Sequence, residues 1–306
     1  MRPASDASVR RGMTLVEVVL ALGLFGILAA FVVGIVDSVL QLWQTGERRG
    51  RGDLEFAVAM ERLRSDLAGL VPGPGGWLVL DTWEASPATE TSAAWRLPRL
   101  RFLADGSVAP EADPTGRGGV EVCWALVPEG VSGRMARLVR YAQPSTAQRS
   151  FREETWMREV FAGEEGLVVL DGVLHGGFRA TLPDGSEHDE LLVPPDSPLD
   201  FPARVELMVE RVAGLARSRP PTLDAPVGAE DGSLVLRGSP PPALPEFALI
   251  ESEWVRLAGG FPRPRAIGRG ERGTLPTRHP AGSPVFLPAT FRAAAWPPGG
   301  GRRSPW

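Results

Sequence analysis

Residues 13 to 36 read MTLVEVVLALGLFGILAAFVVGIV, an apolar run broken by one ionisable side chain, Glu17. No other feature restricts the chain so strongly. A helix rising about 1.5 Å per residue crosses a hydrocarbon core of about 30 Å in about 20 residues, so this run is long enough to span a bilayer. The leader ahead of it, MRPASDASVRRG, carries Arg2, Arg10 and Arg11 against Asp6. Basic residues in that position hold their end in the cytoplasm, and the remainder is expected to be exported. Arg48, Arg49 and Arg51 follow the span and soften the asymmetry. A cleaved secretory signal fits poorly, because the apolar part is too long and no small-x-small site with a polar mature start lies near its end. A signal anchor is the simplest reading.

Glu17 asks for more than an anchor. A carboxylate near the start of an apolar span is costly in lipid and marks a function or a partner. Its surroundings are Arg11-Gly12-Met13-Thr14-Leu15-Val16-Glu17, followed by Val18-Val19-Leu20-Ala21. This resembles the class III signal of type IV pilins and pseudopilins: a basic leader, a glycine, a hydrophobic residue, then Thr-Leu-x-Glu opening a helix. The resemblance implies that prepilin peptidase, a membrane aspartyl peptidase, cuts between Gly12 and Met13 and methylates the Met13 amine. The family more often has Phe there. Glu17 would become the fifth residue of the mature chain, and its carboxylate would meet the Met13 amine of a neighbouring subunit. Each charge alone is expensive in low dielectric, and pairing them fixes the register between subunits. Gly26, Ala30 and Gly34 recur every fourth residue with Gly23 just before them, a small-xxx-small stripe that lets helices approach closely in lipid.

Beyond the span, Gly46, Gly50 and Gly52 weaken or kink the helix. Helical spacing then resumes: Phe56, Met60, Leu63, Leu67 and Leu70 form an apolar stripe, with Glu61, Arg62, Arg64 and Asp66 largely off it. Val71-Pro72-Gly73-Pro74-Gly75-Gly76 ends the helix. From Trp77 to about Val212 short apolar or alternating runs are separated by turns such as Asp105-Gly106, Asp171-Gly172 and Asp184-Gly185, a strand pattern. The expected fold class is α+β and pilin-like, with a long N-terminal helix packed on antiparallel sheet. The division expected is a leader (1–12), a transmembrane segment (13–36), an amphipathic helix (37–72) and a β-rich periplasmic head (77–212). After these come a Pro/Gly-rich linker or loop (213–245), a small extra β module (246–294) and a flexible tail (295–306).

Within the superfamily, Ala59 to Leu67 (AMERLRSDL) is similar to the helix of the J-type minor pseudopilin of type II secretion, where Arg-x-x-x-Asp-Leu is common. Leu138-Val139-Arg140-Tyr141, then Leu170-Asp171-Gly172-Val173 with Phe178-Arg179, and finally Phe201 to Leu207 match in order. The resemblance covers about residues 11–212. It implies a structural subunit at the tip of a pseudopilus, in the inner membrane of a Gram-negative bacterium with its head in the periplasm. Its partners would be I- and K-type minor pseudopilins, the major pseudopilin, prepilin peptidase and inner-membrane lipid. A W-type minor pilin of a type IV pilus is the alternative, and a signal-anchored periplasmic enzyme a remote one. The C-terminal segment Glu253-Trp254, Arg269-Gly270-x-x-Gly273-Thr274 and His279-x-x-Gly282-x-x-Val285 resembles a small β module of phage-tail and pilin-like proteins.

Composition narrows the chemistry. The net charge is −4, and all 33 basic residues are Arg, in no extended basic run. That argues against a nucleic-acid partner held by phosphate neutralisation. A lone Cys123 permits no internal disulfide and reads as core within an apolar strand. His175, His188 and His279 have no partners at metal-ligand spacing, and His279 is expected to bond backbone at a turn. Asp184 to Glu190 gathers oxygen ligands without the Asp-x-Asp-x-Asp-Gly pattern, so it reads as a solvated hairpin tip rather than a Ca²⁺ loop. No Gly-x-Ser-x-Gly elbow is present. Neither catalysis nor a cofactor or metal is expected.

Overall fold

The computed structural model describes residues 15–88, 93–129, 135–153, 166–195, 200–212, 220–238 and 244–298. The chain divides into two compact units, Met1–Arg51 and Gly52–Trp306. One α-helix among the described residues, α1 (Leu15–Ala68), belongs to both, and its backbone stays helical through Gly46, Gly50 and Gly52. Isolated glycines cost roughly 1 kcal/mol each without obliging a break.

Among the described residues the second unit has fifteen strands. The first part of the chain supplies β1 (Leu78–Ser86), β2 (Trp95–Asp105), β3 (Gly119–Pro128), β4 (Ala136–Pro144) and β5 (Leu167–Thr181). Then come β6 (Glu187–His188), β7 (Leu191–Val193), β8 (Arg204–Val212), β9 (Thr222–Leu223) and β10 (Leu236–Arg237). The last are β11 (Phe247–Ile250), β12 (Glu253–Ala258), β13 (Arg265–Glu271), β14 (Val285–Phe286) and β15 (Pro288–Ala295). The large sheet has the order β15-β8-β5-β4-β3-β2-β1-β7, with β6 paired to β5. Every pairing in it is antiparallel.

The expected pilin-like α+β class does not hold. Among the described residues the protein is mostly β, with a curled antiparallel half-barrel and one N-terminal α-helix. One cause is β5, which is long enough to serve two neighbours: its first half pairs with β4 and its second with β8. The register slips on both sides, between Ala136 and Val139 of β4 and between Val173 and His175 of β5. Such irregularities bend a strand and increase its twist. Gly176 allows β8 to come close at the bend, since a Cβ there would stand 3.0 Å from the Met208 carbonyl oxygen.

One core joins this sheet to the last turns of α1. Alternation puts Leu78 and Leu80, Leu100 and Phe102, Val122 and Trp124, and Leu138 among the buried residues, with Phe56, Ala59, Met60, Leu63 and Leu67 of α1 in the same cluster. At about 25 cal/mol per Å² of apolar surface, burial of this kind dominates the stability of the unit.

Residues 220–287 are an insertion between β8 and β15. Within it β13-β12-β11-β14 make a second sheet, β9 and β10 a two-stranded one, and Leu223, Leu234, Leu236, Ala248, Ile250, Val255 and Val285 a separate core. The chain then returns, and β15 pairs with β8 along its whole length, Pro288 opposite Val212 through Ala295 opposite Val205. Residues 288–295 therefore complete the large sheet. Part of the Pro/Gly-rich passage read from sequence as linker carries β9 and β10.

Candidate membrane anchor and assembly surface

In the first unit, Val18–Asp37 of α1 is 20 residues long with a mean hydropathy of 2.8, and none of it is buried. By length and composition it is able to cross a membrane. Leu15, Leu20, Phe25 and Phe31 stand largely exposed. In water such a surface would be unfavourable, so it calls for lipid or protein around it. A Cβ added at Gly23, Gly26 or Gly34 would meet nothing within 4 Å, so these positions leave room beside the helix. Gly12 and Met13 lie outside the described residues. Glu17 is on the first turn of α1, and its side chain also lies outside them.

In the second unit, α1 continues with one face in the core and one bare. Leu54 and Val58, one turn apart, are 64% and 61% exposed, and Glu61 and Ser65 extend the same flank. The opposite face is held by three polar ties. Asp66 is fully buried and accepts from Arg140 Nε at 2.7 Å, from Arg140 Nη2 at 3.1 Å and from the Trp124 indole at 2.8 Å. Arg62, one turn earlier, stands 3.8 Å from Asp66, and Glu111 faces both arginines. Burial pushes the Asp66 carboxyl up, while Arg140 and Trp124 pull it back down. Arg211 of β8 binds Glu55 of α1 and Asp171 at 2.9 Å each. Arg64 donates to the Ala294 carbonyl of β15 at 3.2 Å, and Phe56 packs on Phe291 with ring centroids 5.3 Å apart.

Asp66 had been placed off the apolar stripe by its spacing. The structure buries it, because Arg140 and Trp124 from neighbouring strands supply the donors that make burial tolerable. Two segments far apart in the chain thus meet: Arg62 and Asp66 in α1, and Arg140 in β4.

The remaining candidates have structural settings. Cys123 is buried and its thiol is pushed up to about 12 by burial, which keeps it protonated and unreactive. His175 lies edge-on to Trp254 at 6.0 Å, and burial together with Arg272 brings it down to about 4. In the 184–190 hairpin Asp184 accepts from Ser186, while Glu187 and Asp189 face Arg179. Among the described residues no group of three or more His, Cys, Asp or Glu is placed to hold a metal ion. His279 departs from its expected role: its backbone pairs with Val227, but its ring lies between the carboxylates of Glu251 and Glu253.

Arg272 gave no signal in the sequence. It makes a two-pronged ion pair with Glu210 of β8, and its guanidinium lies 4.1 Å from the Phe247 ring and 4.4 Å from the Trp254 ring. This joins the inserted module to the large sheet across 62 residues of chain.

No protein-family description matches this chain, and no curated protein matches it.

Proposed function

We propose that the chain is a prepilin-type, single-pass assembly subunit, a minor pseudopilin of type II secretion standing at the tip of a pseudopilus. Its carrying observation is Arg11-Gly12-Met13-Thr14-Leu15-Val16-Glu17 at the opening of an exposed apolar helix. The mostly β head means that the reading rests on this segment rather than on the architecture behind it. Prepilin peptidase cleaves after Gly12 and methylates Met13. The new amine then pairs with Glu17 of an adjacent subunit, so that two charges costly in lipid neutralise each other. The head lies in the periplasm of a Gram-negative cell, and the helix in the inner membrane. The bare flank at Leu54 and Val58 supports a second contact, with another subunit of the I, K or major type. Heterologous contacts of this kind propagate a helical filament instead of closing a ring.

Co-expression of the full chain with prepilin peptidase tests the reading. Intact mass and N-terminal sequencing should show a mature chain beginning at methylated Met13. Glu17→Ala should still be cleaved and remain in the membrane but lose co-purification with the other pseudopilins. A chain left uncut beside a cleaved control prepilin, or normal co-assembly of the Glu17 variant, overturns it. Recovery with type IV pilus fibres instead of I- and K-type subunits would move it to the pilus system.

A further inference from the structure

The turn between β11 and β12 holds Glu251 at φ 53°, a left-handed backbone that residues other than glycine seldom adopt. Strain of this kind persists where surrounding contacts over-determine it. Here they do so through the Glu251 side chain. Its Oε2 stands 3.1 Å from His279 Nδ1, and its Oε1 accepts from Ser283 Oγ at 3.0 Å. The other ring nitrogen, His279 Nε2, stands 2.8 Å from Glu253 Oε2. Carboxylates only accept, so both contacts can be hydrogen bonds at once only when both ring nitrogens carry hydrogen, as in the imidazolium.

The two carboxylates are not equivalent. Glu253 is fully buried and has other donors: Arg269 Nε at 2.6 Å, Arg269 Nη2 at 2.9 Å, Gly270 N–H at 3.0 Å and Thr277 N–H at 2.9 Å. Glu251 has 44% of its side chain in solvent and, among the described residues, is held by His279 and Ser283. When the ring loses a proton, one nitrogen presents a lone pair to a carboxylate. Glu253 cannot leave, whereas Glu251 can turn to water.

We propose that Glu251 and His279 form a proton-controlled latch, closed on the imidazolium and opened by its loss. Closed, it ties the β11–β12 turn to the 279–283 loop; open, it frees both and leaves the Glu253–Arg269 pair in place. The charged groups around the ring are Glu251 and Glu253 on the hairpin and Arg269 on β13. Thr277 Oγ1 stands 3.5 Å from His279 Nε2, Ser283 donates to Glu251, and the Asp231 carbonyl accepts from Arg269. Burial works against the charged ring, but hydrogen bonds to Glu253 and Glu251 outweigh it and raise the pKa above the ordinary 6.5. The latch is closed below that value and opens as pH rises through the raised one.

The test uses the full chain in detergent micelles, with histidine-labelled NMR to follow ring titration. Hydrogen exchange corrected for intrinsic rate follows the 250–253 and 279–284 peptides. His279→Gln assigns the His279 signal. The expected result is a His279 midpoint above 6.5, with protection of both peptides falling through the same midpoint. Glu251→Gln should lower that midpoint by about one unit, a tenfold loss of proton affinity. Glu251→Gly relieves the turn and removes the latch, so protection there should become independent of the midpoint. A wild-type midpoint at or below 6.5, flat protection across the titration, or an unmoved midpoint in Glu251→Gln overturns the proposal. The wild-type titration decides even if a variant fails to fold.

Discussion

Asp66 and Glu253 are both carboxylates with no solvent exposure, yet their protonation is driven in opposite directions. Burial raises Asp66, whose donors are one arginine and one indole. Burial also works against charge on Glu253, but Arg269, His279 and two backbone N–H groups overcome it and hold the carboxyl down at about 2. Depth alone therefore does not set the charge of a buried acid; the number and charge of its donors do. The settings differ in purpose as well. Asp66 stitches a helix to a sheet through its two strand partners, whereas Glu253 organises the loops of the inserted module beside that module's own apolar core.

Removing each acid should give the largest effects. Asp66→Ala leaves Arg140 Nε and Nη2 and the Trp124 indole buried without their acceptor, with Arg140 keeping, among the described residues, only Glu111, and should cost about 3–5 kcal/mol, read by chemical denaturation of the whole chain in micelles. Because the core there is shared by α1 and the large sheet, the loss should be global. Glu253→Ala should instead unfold residues 220–287 locally, visible as exchange confined to that span.

A pH profile gives the next largest effect. Glu253 lies at about 2 against an ordinary 4.5, so its contribution is present above about 4.5 and is lost as pH falls towards 2. His279 has a raised pKa, so its contribution is full below 6.5 and is lost as pH rises past it. The inserted module should therefore be most stable between about 4.5 and 6.5, by calorimetry or local exchange. A maximum above neutrality would contradict the His279 assignment, and undiminished stability as pH falls from 4.5 towards 2 would contradict that of Glu253.

Arg272→Ala should cost about 2 kcal/mol, since it deletes a partly buried ion pair with Glu210 and stacking over two rings. Arg272→Lys should restore only part of this, because an ammonium cannot reproduce the two-pronged geometry. The smallest effect belongs to the exposed Arg179–Asp189 pair, where Arg179→Ala should change stability by less than about 0.5 kcal/mol.

How much of this was legible beforehand varied with the range of the interaction. The stripe at Phe56, Met60, Leu63 and Leu67 was readable because helical neighbours repeat locally, and those residues do enter the core. Asp66 was misplaced by the same reasoning, since its partners Trp124 and Arg140 lie 58 and 74 residues away. Many strands were readable from alternation and turn residues. Their assembly into a mostly β half-barrel was not, because β5 serving two neighbours and β15 returning to β8 are matters of pairing. The latch was partly visible: Glu253, Arg269 and His279 had been noticed as a pattern, but a φ of 53° at Glu251 has no local sequence signature.

The sequence by itself determined the N-terminal apolar helix. A run from 13 to 36 with one charge can satisfy its backbone in lipid only by bonding within itself, so no distant partner is needed to specify it. It also determined the Gly12–Met13–Glu17 pattern on which the proposed function depends. Tertiary structure decided the rest: the burial of Asp66, the two-sided pairing of β5, the closing of the large sheet by residues 288–295 and the setting of His279. Those features depend on hydrogen-bond partners brought together across long stretches of chain, and whether a polar side chain can be buried is decided only once its donors have arrived.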